Sequence, residues 1–307
     1  MHQTFHLPAG VTLLERGWLS SNNVLICGTD HCALIDSGYA THASQTLALL
    51  EAELQGRSLD VLLNTHLHSD HCGGNAALQQ RYPAMQTLIP PGQARHVSPW
   101  NPHALSYTPT GQQCPAFSYT GTLQANSEIR LGDALWQVHA APGHDPDSVI
   151  LFEPQSRLML SADALWENGF GVVFPELDGD QAFDDVATTL DLIETLAPRL
   201  VIPGHGGAFS DVSAAIGRAR RRLAGFVQSP ERHIRYAAKV LIKFKLLEAQ
   251  RIEWLDLLAW AKTTELLLHI HQDQANTLDL ADWLTQLVDE LVHSKAALRN
   301  GQAVQNT

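Results

Sequence analysis

Short apolar runs recur through the first two thirds of the chain, and residues that favour turns follow each of them. Six runs have the length of buried strands, at residues 24–26, 33–35, 61–63, 149–152, 158–160 and 200–202. Helix-like stretches lie between some of them, at residues 43–55, 75–81 and 183–196. Strands that alternate with helices predict an α/β fold.

The pattern changes near residue 211, where long segments with a helical period begin. Five apolar residues on one helix face illustrate it: Ala237, Val240, Leu241, Phe244 and Leu247. We therefore predict an α/β domain at residues 1–210 and an all-helical domain at residues 211–307. Residues 278–304 form a helical run that ends in Gly-Gln-Ala-Val, and they faintly resemble the end of a winged helix.

Residues 91–125 show weak periodicity and combine Pro, Gly, Ser and Thr with four aromatic residues. The aromatic residues are Trp100, Tyr107, Phe117 and Tyr119. Two interpretations stay open, a lid over a pocket and a loop that only covers one edge of the core.

The composition is that of a globular protein, with 45% hydrophobic and 17% charged residues. The four cysteines are few and scattered, which favours buried thiols and a reducing compartment: Cys27, Cys32, Cys72 and Cys114. The first ten residues lack the pattern of a leader, and no apolar run is long enough to span a membrane. We expect a cytoplasmic protein that is not bound to a membrane.

The charge is distributed unevenly. The net charge is −12, but residues 1–210 hold 7 basic and 21 acidic side chains, whereas residues 211–307 hold 13 and 11. The acidity disfavours nucleic acid as a partner. Basic residues do cluster in the C-terminal part, at Arg218, Arg220, Arg221, Arg222, Arg232, Arg235, Lys239, Lys243 and Lys245. A solvated helix face is the default interpretation of this cluster, and a site for an acidic substrate tail or for RNA is the alternative.

Four residues with metal-binding side chains lie within a stretch of six, directly after the strand-like run at 61–63. They are His66, His68, Asp70 and His71. Where a strand ends, His66 and His68 can point to one position while Asp70 and His71 face a neighbouring one, as two adjacent metals require. We expect Gly73 and Gly74 to allow a sharp turn away from this cluster.

Three further candidate ligands follow apolar runs elsewhere in the chain: His144, Asp163 and His205. Both histidines follow Pro-Gly, in which proline ends a strand and glycine lets the backbone approach closely. Imidazole and carboxylate ligands without a cysteine pattern favour zinc, with manganese, iron and cobalt as alternatives.

The spacing His-x-His-x-Asp-His, followed by a separated His, Asp and His, resembles that of the metallo-β-lactamase-fold hydrolase superfamily over roughly residues 10–210. The resemblance implies a four-layer αβ/βα sandwich with the site at one edge. It implies a first metal at His66, His68 and His144 and a second at Asp70, His71 and His205, with Asp163 as the bridge. Ala162 stands where these proteins commonly have glycine. Oxygen-reducing relatives have Glu at the position of His68, which disfavours a redox role.

The resemblance also implies chemistry, in which a metal-bridging hydroxide attacks an electrophile and Asp70 orients it as the catalytic residue. Asp36 follows a strand and is interpreted either as a hydrogen-bond partner of a ligand histidine or as a turn residue. Cys72 is expected to be a small buried residue. His269 and His271 are expected to be structural, because residues two apart diverge on a helix.

The leading hypothesis is hydrolysis of a small-molecule ester, thioester or lactone, as in the glyoxalase-II and lactonase branch. A pocket roofed by the four aromatic residues of 91–125, and by Trp166, Phe170 and Phe174, would suit an acyl group. One alternative is a phosphodiesterase or ribonuclease that uses the C-terminal helices for binding. Another is a metal-bearing sensor without turnover. A small-molecule substrate is the expected partner, and a homodimer is an open alternative to a monomer.

Overall fold

A computed structural model describes residues 6–275 and 277–307. These residues form two compact units, one of residues 6–105 and 113–224 and one of residues 106–112 and 225–307. The domain boundary after residue 210 stays a prediction, and the helix that follows it, Val212–Gln228, contributes its first turns to the first unit.

The first unit contains eleven strands among the described residues, and all six predicted strands are among them. They are β1 Val11–Leu14, β2 Asn23–Cys27, β3 Cys32–Ile35, β4 Val61–Leu63, β5 Gln86–Ile89, β6 Gly121–Thr122, β7 Ser127–Leu131, β8 Ala134–Ala140, β9 Val149–Glu153, β10 Leu158–Ala162 and β11 Leu200–Pro203. The helices up to the second unit are α1 Ala43–Leu54, α2 Ser69–Cys72, α3 Asn75–Arg81, α4 Ala94–Val97, α5 Tyr107–Thr110, α6 Phe174–Leu177, α7 Phe183–Leu196 and α8 Val212–Gln228. Of these, α5 belongs to the second unit. The predicted α/β class is confirmed.

The strands form two mixed sheets. The first has the order β1-β2-β3-β4-β5-β6 and becomes parallel from β3 onward, and the second has the order β11-β10-β9-β8-β7 with only β10 and β11 parallel. Apolar side chains of both sheets share one core, for example Val24 and Leu63 of the first with Trp136 and Leu151 of the second. The two sheets therefore pack face to face.

Helices α1 and α3 cover the outer face of the first sheet. Leu50 and Leu54 of α1 and Leu78 of α3 pack with Leu34 and Leu62 of the sheet. Strands β3 and β4 are thus buried on both faces, which explains why their sequences are continuous apolar runs without alternation.

Polar residues with metal-binding side chains follow the ends of five strands. Asp36 follows β3, His66 follows β4, His144 follows β8, Asp163 follows β10 and His205 follows β11. Because β3 and β4 are parallel, as are β10 and β11, their carboxyl ends lie at one edge of each sheet. This edge is where ligands bind in open α/β sheets.

The second unit is helical, but the expectation that it is all-helical is wrong. Its other elements are α9 Pro230–Ala249, β12 Arg251–Glu253, α10 Trp254–Ala261, α11 Glu265–Ala275, α12 Leu280–His293, β13 Ala297–Asn300 and β14 Ala303–Asn306. The three strands form an antiparallel sheet of order β12-β14-β13. The sheet escaped prediction because its strands are short and largely polar. A hairpin at the end of the chain agrees with the winged-helix-like expectation.

The expectation of free thiols is wrong for two of the four cysteines. Cys27 and Cys32 are directly opposed on β2 and β3 and form a disulfide. Cys72 is buried as expected, and its sulfur lies 3.8 Å from that of Cys114. Within the described part of the chain, no helix has the length and apolar character needed to cross a membrane.

Candidate metal centre

Three imidazoles converge at the first predicted metal position. Ligand atoms of His66, His68 and His144 all lie within 4.8 Å of one another. His68 Nδ1 is 2.8 Å from His144 Nε2, and the ring of His66 packs edge-on against both. The structure therefore brings together the residues predicted for the first metal.

Two imidazoles and a carboxylate converge at the second position. Ligand atoms of Asp70, His71 and His205 also lie within 4.8 Å of one another. His205 Nε2 is 3.0 Å from Asp70 Oδ2, whereas His71 Nε2 is 3.9 Å from the same oxygen. Asp70 and His68 are the partly exposed members of the two groups, with 15% and 14% of their side chains accessible.

Asp163 lies between the two groups. Its Oδ2 is 3.5 Å from His144 Nε2 in the first group and 3.7 Å from His205 Nε2 in the second. Its Oδ1 is 3.5 Å from His71 Nε2. A carboxylate that contacts both groups is placed as a bridge would be.

The backbone around Asp163 is unusual in two ways. Ala162 has a φ of +47°, a left-handed conformation in which glycine is less strained than alanine. Gly204 has no room for a side chain, since a Cβ there would lie 2.1 Å from Asp163 Oδ1. The expectation that glycine permits close approach before His205 is confirmed.

Gly143 likewise permits close approach of the backbone before His144. Its φ is +135°, and a Cβ would lie 2.6 Å from Val186 Cγ2 of α7. Gly73 and Gly74 are different, because their φ values of −62° and −82° make no sharp turn. A Cβ at Gly74 would meet the backbone oxygen of Ser37 at 2.5 Å, so these glycines allow close packing against the loop after β3 and do not clear the cluster.

Asp36 orients His71, as one of its two interpretations proposed. Its Oδ2 is 2.7 Å from His71 Nδ1. Thr65 holds the same carboxylate, because its backbone N–H donates to Oδ1 at 2.9 Å and its hydroxyl donates to Oδ2 at 2.8 Å. Because the carboxylate accepts, His71 Nδ1 donates to it, and this hydrogen bond directs Nε2 toward the cluster. Asp36 has a φ of +57°, so the turn interpretation holds as well. Thr65 was missed.

His144 is oriented by a backbone group that no sequence signal revealed. Its Nδ1 is 2.5 Å from the carbonyl oxygen of Val172, which can only accept, so Nε2 faces the cluster as an acceptor. Gly171 makes this approach feasible, because a Cβ there would lie 2.3 Å from His144 Nδ1. Gly171 lies among the aromatic residues that follow Asp163, and it is the sequence feature that could have indicated this contact of His144.

The arrangement fits divalent cations. His66 Nε2 and His71 Nε2 are buried and have no hydrogen-bond partner, which is costly for polar atoms unless a cation binds them. Two ligand atoms on a tetrahedral zinc lie about 3.3 Å apart, given bonds of about 2.0–2.1 Å. Distances of 2.8 to 3.9 Å between the cited pairs of ligand atoms are close to this spacing. The residues could therefore hold metal ions.

The electrostatics of the first group favour neutral imidazoles. Burial lowers the pKa of His66 well below its usual range, and neighbouring histidines lower it further. Burial and His144 lower the pKa of His68 to about 3, and burial lowers that of His144. Neutral histidine is the form that binds a metal.

The second group is dominated by carboxylates. Burial alone would lower the pKa of His71, but Asp36 and then Asp163 raise it well above its usual range. Burial alone would raise the pKa of Asp163, but His205 and His71 hold it well below its usual range. Positive charge is therefore favoured here, whether it is a proton or a metal ion.

The loop before β2 connects the turns that carry Asp70 and His205. Sequence analysis did not identify it. Ser21 N–H donates to the carbonyl oxygen of Asp70 at 2.9 Å. The buried Asn22 donates from its backbone to Gly204 at 2.7 Å, and from its side chain to the carbonyls of Pro203 and Gly206 at 2.9 and 2.7 Å. A single asparagine thus holds both sides of the turn that carries His205.

Asp145 is a further buried carboxyl that sequence reasoning passed over. Its Oδ2 lies 3.7 Å from His68 Nε2 and accepts a hydrogen bond from Gln93 of the 91–125 segment. Burial raises the pKa of this carboxyl to about 7. Through Gln93, the 91–125 segment reaches the edge of the site.

Aromatic side chains flank both groups. Phe174 packs edge-on against His68 and His144, with ring centroids 4.9 and 5.6 Å apart. Trp166 and Trp18 pack against His205 on the other side. Trp166 and Phe174 are two of the residues that the sequence suggested for an acyl pocket, and the pocket itself stays a prediction. Trp18 was not predicted.

The histidines of α11 have partners of their own in the second unit. His269 Nε2 lies 3.3 Å from Asp273 of the same helix, and His271 Nε2 lies 2.9 Å from the carbonyl oxygen of Leu278. Such contacts agree with a structural role for both.

Comparison with known proteins agrees with this geometry. The family model of the metallo-beta-lactamase superfamily matches residues 16–205. A hydroxyacylglutathione hydrolase of Xanthomonas euvesicatoria is 29% identical over 192 residues, which make up 62% of this chain and 63% of that protein. The chain spans about half to two thirds of the length of the first curated relatives it matches.

Two solved structures show the same fold. A metallo-beta-lactamase family protein from Thermus thermophilus superposes with a TM-score of 0.58 at 18% identity, covering 98% of this chain and 100% of that one. TTHA1623 in a di-iron-bound form superposes with a TM-score of 0.55 at 24% identity, covering 68% and 95%. With a family model that spans more than half of its length, the chain belongs to the metallo-beta-lactamase superfamily.

Proposed function

We propose that this protein is a metal-dependent hydrolase that holds two divalent cations, zinc in the first instance, and cleaves a small-molecule thioester, ester or lactone. The observation that carries the proposal is the position of Asp163, whose Oδ2 lies near one histidine of each group. A shared carboxylate between two complete ligand groups is the arrangement of a two-metal hydrolytic centre.

Two bound cations would supply Lewis acidity and a water-derived nucleophile at neutral pH. His66, His68 and His144 would hold the first cation, and Asp70, His71 and His205 the second. The protein's own contribution is orientation, since Asp36 and the Val172 carbonyl fix the lone pairs of His71 and His144. Fixed ligands reduce the rearrangement needed when charge develops on the substrate.

Asp70 is the proposed catalytic residue. Only one of its oxygens is engaged by His205, and its side chain is partly exposed. The carboxylate can therefore orient the attacking water and accept its proton, and then pass that proton to the leaving group.

Three observations support an acyl substrate. The hydroxyacylglutathione hydrolase similar to this chain is named for hydrolysis of an acyl compound. Aromatic side chains flank the metal ligands on two sides. Most basic side chains of the C-terminal part, which binding of RNA would need, pair with other groups of the protein.

Those internal pairings weigh against the phosphodiesterase alternative. Arg220 pairs with Asp191 and Glu194, and Arg235 and Lys239 both pair with Glu290. Lys243 donates to Ala296 and Asn306, Lys245 pairs with Glu248, Arg218 donates to Glu167, and Arg222 lies over Phe170. Most of the cluster thus stabilises the protein itself.

The test is a substrate panel on metal-loaded protein. Thioesters, lactones, aryl esters and bis-aryl phosphodiesters are assayed with wild type and with His66→Ala, and the metal content of both is measured. We expect hydrolysis of at least one acyl class, with metal content and activity lost together in the variant. Turnover of phosphodiesters alone would move the assignment to the alternative. Two bound metals without any turnover would favour the sensor hypothesis.

A further inference from the structure

Trp18 is exposed in an unusual place. It lies in the loop between β1 and β2, and 52% of its surface is accessible. Among the described residues, the other exposed large apolar side chains are all aliphatic. Its ring stacks on His205 with a centroid distance of 5.3 Å and an interplanar angle of 6°. A large apolar surface beside a candidate ligand indicates a binding role.

The loop that carries Trp18 is held in place. Ser20 N–H donates to Gly17, Ser21 N–H to Asp70, and Asn22 N–H to Gly204. Two of these bonds tie the loop to turns that carry candidate ligands. The exposure of Trp18 is therefore not that of a loose surface loop.

Trp166 extends the same surface toward Asp163. Its ring meets that of Trp18 edge-on at 5.2 Å and 77°, and its Nε1 donates to Asp163 Oδ1 at 3.1 Å. The turn that carries it is closed by a hydrogen bond from Trp166 N–H to the carbonyl of Gly169 at 2.7 Å. The indole edge is thus occupied by the carboxylate, and the rest of the ring is an apolar surface next to the site.

We infer that Trp18 and Trp166 form an apolar wall that binds the hydrophobic acyl group of the substrate beside the metal centre. This inference rests on the proposed function and specifies its substrate class, namely thioesters or esters with an extended apolar acyl chain. Two fixed indoles offer large contact area without ordering cost, and their position beside His205 places the chain next to the carbon that is attacked. The acyl group would cover the exposed part of Trp18.

The test compares acyl chain lengths. The metal-loaded full chain is assayed with thioesters of one thiol that carry acetyl, butyryl, hexanoyl and octanoyl groups. We expect kcat/KM to rise by up to about fourfold per methylene, the value expected for burial of one CH₂, until the wall is covered. Trp18→Ala should reduce the ratio of octanoyl to acetyl by roughly tenfold.

Two variants separate specificity from metal loss. Trp18→Tyr keeps a ring over His205 with less apolar surface and should give an intermediate chain-length ratio at unchanged metal content. Trp254→Ala removes a partly exposed tryptophan of the second unit and should leave the ratio unchanged. If Trp18→Ala and Trp18→Tyr both keep the wild-type ratio, the wall is excluded.

A binding readout separates this inference from the proposed function. Octanoate should quench tryptophan fluorescence of the wild type at lower concentration than acetate, and Trp18→Ala should make this difference in concentration smaller. Hydrolysis with equal efficiency for all chain lengths would leave the proposed function standing and overturn the wall. Selective octanoate binding without hydrolysis of any acyl substrate would leave the wall standing and overturn the proposed function. If neither selective binding nor hydrolysis is observed, the wall and the proposed function are both overturned.

Discussion

The two ligand groups are oriented by different means. In the first, three imidazoles converge, and His144 is fixed by a backbone carbonyl that a glycine allows to approach. In the second, a carboxylate takes part, and His71 and His205 depend on Asp36 and Asn22 from distant loops. The first group is thus oriented mainly by local shape, and the second by a network of buried polar side chains. Changes to that network should affect one metal more than the other.

Loss of the shared carboxylate should have the largest effect. Asp163→Ala removes the group that contacts both sets and leaves neighbouring histidines without their counter-charge. We expect activity to fall roughly 10³-fold, comparable to the loss of a major electrostatic stabiliser, with weaker binding of both metals. Steady-state kinetics and metal analysis measure this. Asp184→Ala, an exposed carboxylate of α7, is the control and should behave like wild type.

Removing one ligand from each group should split the stoichiometry. His68→Ala takes an imidazole from the first group and His205→Ala takes one from the second. Each variant should bind close to one equivalent of zinc where wild type binds two, as measured by elemental analysis after dialysis. His269→Ala, a histidine of the second unit, should keep both. Loss of both metals in each variant would mean that the groups act as one.

Changes to the orienting partners should be smaller and selective. Asp36→Asn should weaken the metal at the second group by about 10–100-fold, the usual effect of losing a partner of a ligand histidine. Gly171→Ala places a Cβ against His144 Nδ1 and should weaken the first group instead. Chelator competition gives both affinities. Gly217→Ala, a helical glycine whose Cβ would have 3.6 Å of clearance, is the control. If each variant loses equal affinity for both metals, the two ligand groups are not oriented independently.

Asn22→Ala should affect stability as well as the second metal. It leaves the carbonyls of Pro203 and Gly206 without the amide that donates to them, which costs about 1–3 kcal/mol of unfolding free energy. Denaturant unfolding of the metal-free protein measures the loss. Asn101→Ala removes a single exposed hydrogen bond to Ala104 and should change little. An unchanged unfolding midpoint for Asn22→Ala would show that Asn22 does not stabilise the turn that carries His205.

The smallest effect is expected at Ala162, and its sign is opposite. Ala162 is strained by its left-handed backbone conformation, and glycine adopts that conformation without strain. Ala162→Gly should therefore raise the unfolding free energy by up to about 1 kcal/mol, after subtraction of the larger backbone entropy that glycine loses on folding. Ala187→Gly in α7 should lower it by about 1 kcal/mol, because that residue is helical. Thermal unfolding distinguishes the two. A lower midpoint for Ala162→Gly would show that the alanine methyl contributes packing that outweighs the strain.

The sequence predicted those features that are local. Each Pro-Gly-His turn could be recognised because proline, glycine and ligand are adjacent, and the structure shows why glycine is needed at Gly204 and Gly143. The buried strands could be recognised because both of their faces are apolar. The spacing of these ligands resembled that of the metallo-beta-lactamase superfamily, and the family model that matches residues 16–205 confirmed the resemblance.

What the sequence did not reveal depends on long-range packing. Asn22 and Pro203 are 181 positions apart, and neither lies in a motif. Trp18 became a candidate only when its ring was found on His205. The disulfide needed the register of β2 and β3, and the three C-terminal strands are too short and polar to show a period. Such contacts are properties of the folded chain.

Anomalous scattering from crystals of the zinc-loaded protein would show whether the two ligand groups hold two metal ions. Data collected on either side of the zinc absorption edge locate each ion without reference to activity. We expect two peaks that share Asp163, one among His66, His68 and His144 and the other among Asp70, His71 and His205. A single peak, or two peaks that do not share Asp163, would contradict this expectation.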